Sequence, residues 1–158
     1  MCGVPHSGRA PSYRVEYPSM WRAEFVTDER SFLDEEQCVV QMRWFLVRAR
    51  LVIPLEKRNG DIEWGVWVSL AEPDFERMDE YWLTPGRERQ PPFPGVLDSA
   101  LPGYATPTAG LPVLVHTSPV GIRPTVKVTD TTHELAREQQ RGITVSRHEE
   151  LNCLVRAL

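Results

Sequence analysis

Two arginines stand two positions apart in FLVRARLVIP, Arg48 and Arg50, and a tryptophan, Trp67, follows in WGVWVSL. Two guanidinium forks beside an aromatic ring can hold a carboxylate or a phosphate, with the ring stacking on a guanidinium or on the ligand. The bland alternative is that acidic side chains from an overlying helix pair with the arginines and Trp67 packs beneath it. His116 in VHTSP is a candidate acid or base and equally a hydrogen-bonded structural residue. Arg123 in IRP is a second candidate clamp. Arg48, Arg50, Trp67, His116 and Arg123 are therefore the candidate ligand-binding set.

The opening MCGVPHSG offers Cys2 and His6, only two of the four ligands that a structural zinc needs. No spacing recruits Cys38, Cys153, His116, His133 or His148 to complete it. The stretch reads as a truncated or degenerate knuckle, and no metal site is assigned. HELAREQQ is not HExxH, and there is no GxGxxG, GxxxxGK[ST], GxSxG or EF-hand loop. No cofactor can be named, and no catalytic constellation stands out.

Bulk composition narrows the class. The 158 residues suit one domain with its own core, of ordinary apolar and charged content. A net charge of −4 argues against nucleic-acid binding, which needs a basic face. Of the 18 basic residues only Lys57 and Lys127 are lysine. The odd cysteine count fits a reducing cytosol. No charged lead with an apolar run marks a signal peptide, and no stretch is apolar enough to span a bilayer. A cytoplasmic protein without membrane or nucleic-acid partners is expected.

The elements that must position the candidates follow from periodicity. Residues 1–35, broken by Pro5, Pro11 and Pro18, read as irregular with a short helix near Met20–Phe25, and 36–158 as the compact core. CVVQMRWFLVRARLVIPL and IEWGVWVSL read as strands joined by an Asn59-Gly60 type I′ hairpin. That turn sets Arg58 opposite Asp61, Leu55 opposite Trp64, Ile53 opposite Val66, Leu51 opposite Val68 and Ala49 opposite Leu70. One face is then core. The other carries Trp44, Leu46, Arg48, Arg50 and Val52 with Gly65, Trp67 and Ser69. This mixture is too charged to be buried and too aromatic to be merely solvated.

Further on, a helix starts near Pro73, with Phe75, Met78 and Trp82 at helical spacing. Half of the 14 prolines lie in 85–112, which reads as a stiff loop. LPVLVHTSP and IRPTVKV read as strands, and Pro124 marks the second as an edge strand. TTHELAREQQRG and SRHEELNCLVRAL read as helices, with capping boxes at Thr131/Glu134 and Ser146/Glu149 and a C-terminal cap at Gly142. Leu151, Leu154, Val155 and Leu158 form one apolar stripe. Asp28, Glu29, Asp34, Glu35 and Glu36 read as a solvated acidic run. The expected fold is α+β: an antiparallel sheet of four or five strands around the Asn-Gly hairpin, flanked by helices including two C-terminal ones.

These segments carry a resemblance. QCVV (37–40), FLVRARLVIP (45–54), WGVWVSL (64–70), LPGY (101–104), VHTSPVG (115–121), RP at 123–124 and EQQRGIT (138–144) resemble a bacterial family catalogued as domain of unknown function 2199. CGVPHSG resembles the second half of that family's CxxCG-x-x-H-x-G opening. The resemblance implies a compact bacterial domain and brings no activity, cofactor or catalytic residue with it.

Two functions remain open. One is a non-catalytic module that binds a protein partner or a small anion through the Trp/Arg face or the proline-rich loop. The other is an enzyme acting on an anionic small molecule, with Arg48, Arg50 and Arg123 as clamps and His116 as acid or base.

Overall fold

The structure is a computed structural model that describes residues 12–56 and 60–158. Its strands are β1 (Ser12–Arg14), β2 (Phe32–Leu33), β3 (Gln37–Val40), β4 (Trp44–Pro54), β5 (Asp61–Leu70), β6 (Phe93–Leu97), β7 (Pro112–His116) and β8 (Thr125–Val128). The α-helices are α1 (Glu72–Glu80), α2 (Glu134–Arg141) and α3 (Val145–Arg156). The α+β class holds, but the sheet is mixed rather than antiparallel, and among the described residues it has eight strands rather than four or five.

Strands β5, β6, β7, β8 and β4 follow one another, and β4 pairs back onto β5, so five strands close a barrel. β4 and β8 meet in parallel at Arg50 and Thr125, and β1 adds to β5 in parallel. β3 and β2 extend the sheet from the other half of β4. Closure explains Pro124. It precedes β8, which lies between β7 and β4 and is no edge strand; the Pro124 carbonyl accepts from the Arg50 N–H at 2.8 Å.

Side-chain alternation on β4 and β5 sends Ala49, Leu51 and Ile53, with Ile62, Trp64 and Val66, into the barrel. The facing residues differ from expectation. Leu51 lies opposite Trp64, Ala49 opposite Val66 and Phe45 opposite Leu70. The ladder runs to Pro54 opposite Asp61, with a further bond from Leu55 N–H to the Gly60 carbonyl. Asn59 lies outside the described residues, and so does the proposed type I′ turn. The offset keeps every side chain on its expected face, because a slip by an even number of residues preserves the two-residue period.

The sequence hides β6 inside the proline-rich stretch, yet it is an interior strand between β5 and β7. Gly95 makes its approach possible. A Cβ there would stand 2.7 Å from a Val68 methyl and 2.9 Å from the Ser69 carbonyl oxygen. The run CVVQMRWF is likewise two strands, folded at Gln41 and Met42, both at φ 52. These non-glycine residues sit in the left-handed region, which sequence preference does not announce.

Where β8 diverges from β4, a side chain takes over the ladder. Gln139 on α2 accepts from the Val128 N–H at 2.8 Å and donates to the carbonyls of Val126 (2.9 Å) and Val52 (3.3 Å). Helix caps also differ from expectation. His133, not Thr131, caps α2 by accepting from Leu135 N–H, and Thr144, not Ser146, caps α3 through Arg147 N–H. Gly142 does end α2, at φ 80. The expected helix near Met20–Phe25 is a 3-10 turn over Ala23–Thr27, and Trp82 falls beyond the end of α1. The C-terminal stripe is narrower than expected. Leu151 is buried, but Leu154 and Leu158 are exposed.

Candidate functional site

The outer face of the barrel divides into a covered half and an open half. Arg48 and Trp67 face each other across β4 and β5, and both belong to the covered half. Trp67 forms a second small core with Cys38, Val40 and Leu46, roofed by Met20, Trp21, Phe25 and Leu33. Arg48 is only 2% exposed, and its guanidinium carbon lies 4.6 Å from the Trp67 ring centroid. Its Nη2 donates to the Glu16 carbonyl at 2.8 Å, while Nε and Nη1 have no hydrogen-bond partner among the described residues. Burial, and then the charges of Arg14 and Arg123, hold Arg48 below its usual pKa. The cover is chain backbone and apolar side chains, not an acidic helix.

The open half is organised by one cross-strand row. Arg14 pairs with Gly65, Gly65 with Arg50, Arg50 with Thr125, and Thr125 with His116. Directly paired residues point to the same side of a sheet, so these five positions share the outer face. His116 is exposed and lies two strands from Arg50, roughly 10 Å at the spacing of neighbouring strands.

Beside Arg50 opens a cleft of about 490 Å³, lined by Glu36, Arg50, Trp82, Arg87, Gly121, Ile122 and Arg123. Three arginines and one glutamate thus contribute to its lining. Arg50 donates from Nη1 to Glu63 at 3.1 Å and from Nε to the Arg123 carbonyl at 3.2 Å. Arg123 grips Glu36: Nε lies 3.0 and 2.9 Å from the two carboxylate oxygens and Nη2 lies 2.7 Å from one of them. Hydrogen bonding to Glu36 holds Arg123 above its usual pKa, against partial desolvation.

Arg87 has a different role. It is buried and donates to four carbonyls: Trp82 (2.7 Å), Ser118 (2.7 Å), Pro119 (3.1 Å) and Ile122 (2.8 Å). Its guanidinium also lies 5.1 Å from the Trp82 ring centroid. It staples the loop before β8 to the segment after α1 and so builds the cleft wall.

The structure therefore brings Arg50 and Arg123 into one cleft, seals Arg48 and Trp67 beneath the adjoining cover, and leaves His116 at the far end of the row. Glu36, Trp82, Arg87 and Ile122 went unrecognised. Sequence pattern places Glu36 in a solvated acidic run and Trp82 in helix packing. For Arg87 no local signal exists.

A second polar cluster joins LPGY to EQQRGIT. Glu138 accepts from the Tyr104 hydroxyl at 2.6 Å and from Arg147 Nε at 2.8 Å, and Arg147 Nη2 donates to the Gly103 carbonyl at 2.7 Å. Burial first, then the bond to Glu138, pushes Tyr104 well up. Burial opposes the charge on Arg147, but its bonds to Glu138 and Glu150 together hold it above its usual value. The cluster docks α3 through these bonds. Gly103 reinforces the docking, since a Cβ there would stand 2.6 Å from a Leu151 methyl.

The Cys2/His6 opening lies outside the described residues. Among the described residues no group of His, Cys, Asp or Glu is placed to hold a metal ion, and no helix is long and apolar enough to cross a membrane.

The sequence model of a family described as an uncharacterized protein conserved in bacteria, domain of unknown function 2199, matches residues 1–143. The chain belongs to this family. The match takes in every residue that lines the cleft, along with the Gln139 bridge and the Gly142 cap, and it stops before α3. No curated protein and no solved structure matches the chain. Membership in domain of unknown function 2199 assigns no activity, so function must be argued from the cleft.

Proposed function

We propose that the chain is a non-catalytic module that binds a small anion in the cleft between β4, the β7–β8 loop and the segment after α1. The observation that carries this reading is the lining: Arg50, Arg87 and Arg123 against Glu36, in a cavity large enough for a small molecule. Low-dielectric walls concentrate such a field on an entering anion. Arg50 and Arg123 are the ligand-facing cations. Arg48 and Trp67 position β4 from the covered side, and His116, outside the lining, is not asked to touch the ligand.

The alternative, an enzyme with His116 as acid or base, draws its support from the shared row. It asks His116 to reach a ligand about two strand spacings away. The binding reading needs no such reach.

The test is titration calorimetry of the purified chain with phosphate, succinate and benzoate, repeated on Arg50→Ala. Saturable binding that falls at least about tenfold in the variant, with far-ultraviolet circular dichroism unchanged, supports the reading. Equal affinity in both proteins places any binding elsewhere and ends it.

A further inference from the structure

We infer that the cleft is a carboxylate site held in cis by Glu36, and that its ligand is a small organic carboxylate with an apolar body, which enters by taking the place of Glu36 on Arg123. This rests on the cleft reading above.

The geometry is that of a bound ligand. Two adjacent donors of Arg123 meet both oxygens of Glu36 in a planar fork, at 2.7 to 3.0 Å. A guanidinium fork recognises a carboxylate in this way wherever the carboxylate comes from. The pair is not sealed: the Arg123 and Glu36 side chains are 35% and 30% exposed. An incoming carboxylate would make the same forked bonds to Arg123 that Glu36 makes, so exchange is nearly isoenergetic at this contact.

Glu36 can also let go without disturbing the fold. Its own N–H donates to Asp34 at 2.7 Å, and its carbonyl accepts from the Arg48 N–H at 2.8 Å. The backbone is therefore anchored independently of the carboxylate, and only side-chain rotation is needed. Arg50 engages its Nε and Nη1 among the described residues and has Nη2 left for an anion beside Arg123. Beside Arg87 and Gly121 the lining also includes two apolar residues, Trp82 and Ile122, the latter 46% exposed. A fully hydrated inorganic anion would leave these two unused, whereas an aryl or branched carboxylate would cover them.

An internal occupant lowers the apparent affinity of an external one, because the competent state is only part of the population. Removing the occupant restores the affinity. The experiment is calorimetric titration of wild type, Glu36→Gln and Arg123→Lys with benzoate, succinate and phosphate. Glu36→Ala is run alongside as a second variant in case the glutamine amide still holds Arg123. Benzoate is expected to bind Glu36→Gln or Glu36→Ala about three- to tenfold more tightly than wild type. It should lose measurable binding to Arg123→Lys, which keeps the charge but not the fork.

Unchanged or weaker benzoate binding in both Glu36 variants, with Arg50→Ala still impaired, overturns displacement and leaves the cleft reading standing. A preference for phosphate over benzoate in every form overturns the carboxylate assignment. If none of the three probes binds any form at millimolar concentration, both readings fall together.

Discussion

The Arg48 guanidinium lies over the Trp67 ring, 4.6 Å from its centroid, and forms no ion pair with a carboxylate among the described residues. The pair joins the barrel to the chain that covers it, since the one side-chain hydrogen bond Arg48 makes among the described residues is to the Glu16 carbonyl. A buried guanidinium with two nitrogens unpartnered among the described residues is a stability liability unless its packing compensates.

Arg48→Met should therefore keep the stem over the indole while removing the orphaned donors. The variant is expected to be as stable as wild type or more stable by about 1 kcal/mol, whereas Arg48→Ala should lose about 2 kcal/mol by opening a void. Urea unfolding followed by tryptophan fluorescence measures both. A methionine variant much weaker than wild type would mean that the guanidinium is better satisfied than its contacts imply.

Arg87 is the opposite case, a buried cation whose donors are met by four carbonyls. Arg87→Ala strands those carbonyls and should destabilise the chain by about 3 kcal/mol; Arg87→Lys should recover less than half of that, because an ammonium cannot span the same fork. Limited proteolysis should cut the Ser118–Ile122 loop faster in both variants. A lysine variant that behaves like wild type would rule out the staple.

Gln139 does the work of a missing strand residue between β4 and β8. Replacing it with leucine keeps the bulk but leaves the Val128 N–H and the carbonyls of Val126 and Val52 without these bonds. A loss of about 2 kcal/mol is expected. Hydrogen exchange is the sharper readout: the Val128 amide should exchange faster in the variant while the β4–β5 ladder stays protected. Unchanged protection at Val128 would mean that barrel closure does not depend on the bridge.

Burial pushes the Cys38 thiol up to about 12, helped by Asp98 and Asp34, from an ordinary value of 9.0. The folded state keeps the proton that the unfolded state gives up. The thiol's contribution to stability is thus complete below about pH 9 and is lost as pH rises toward about 12. Tyr13, raised by burial from 10.0 to about 12, acts in the same direction over the upper part of that window. Unfolding midpoints should fall between about pH 9 and pH 12, and fall less steeply in Cys38→Ala. The native thiol should also resist aromatic disulfide reagents at about pH 8. Rapid labelling would show that the second core opens.

Two-residue alternation alone told which side chains of β4 and β5 enter the core, and that reading survived a wrong register. Parity is a local property; the offset between strands is not. The pairing of Leu51 with Trp64 in place of Val68 follows from where the ladder ends, not from the pattern within either strand. Helix ends came out nearly right at Gly142, where a left-handed residue is required, and wrong at His133 and Thr144, where several neighbours could cap equally well.

The sequence by itself thus determined the apolar face of the hairpin, the α+β class and the presence of arginines on an outward face, because each depends on residues a few positions apart. Only the tertiary structure decided that Arg48 is sealed while Arg50 is open, that β4 closes onto β8, and that Glu36 meets Arg123 from 87 positions away. Such contacts depend on how distant segments fill one volume. No local preference records that, and the cleft is built almost wholly of them.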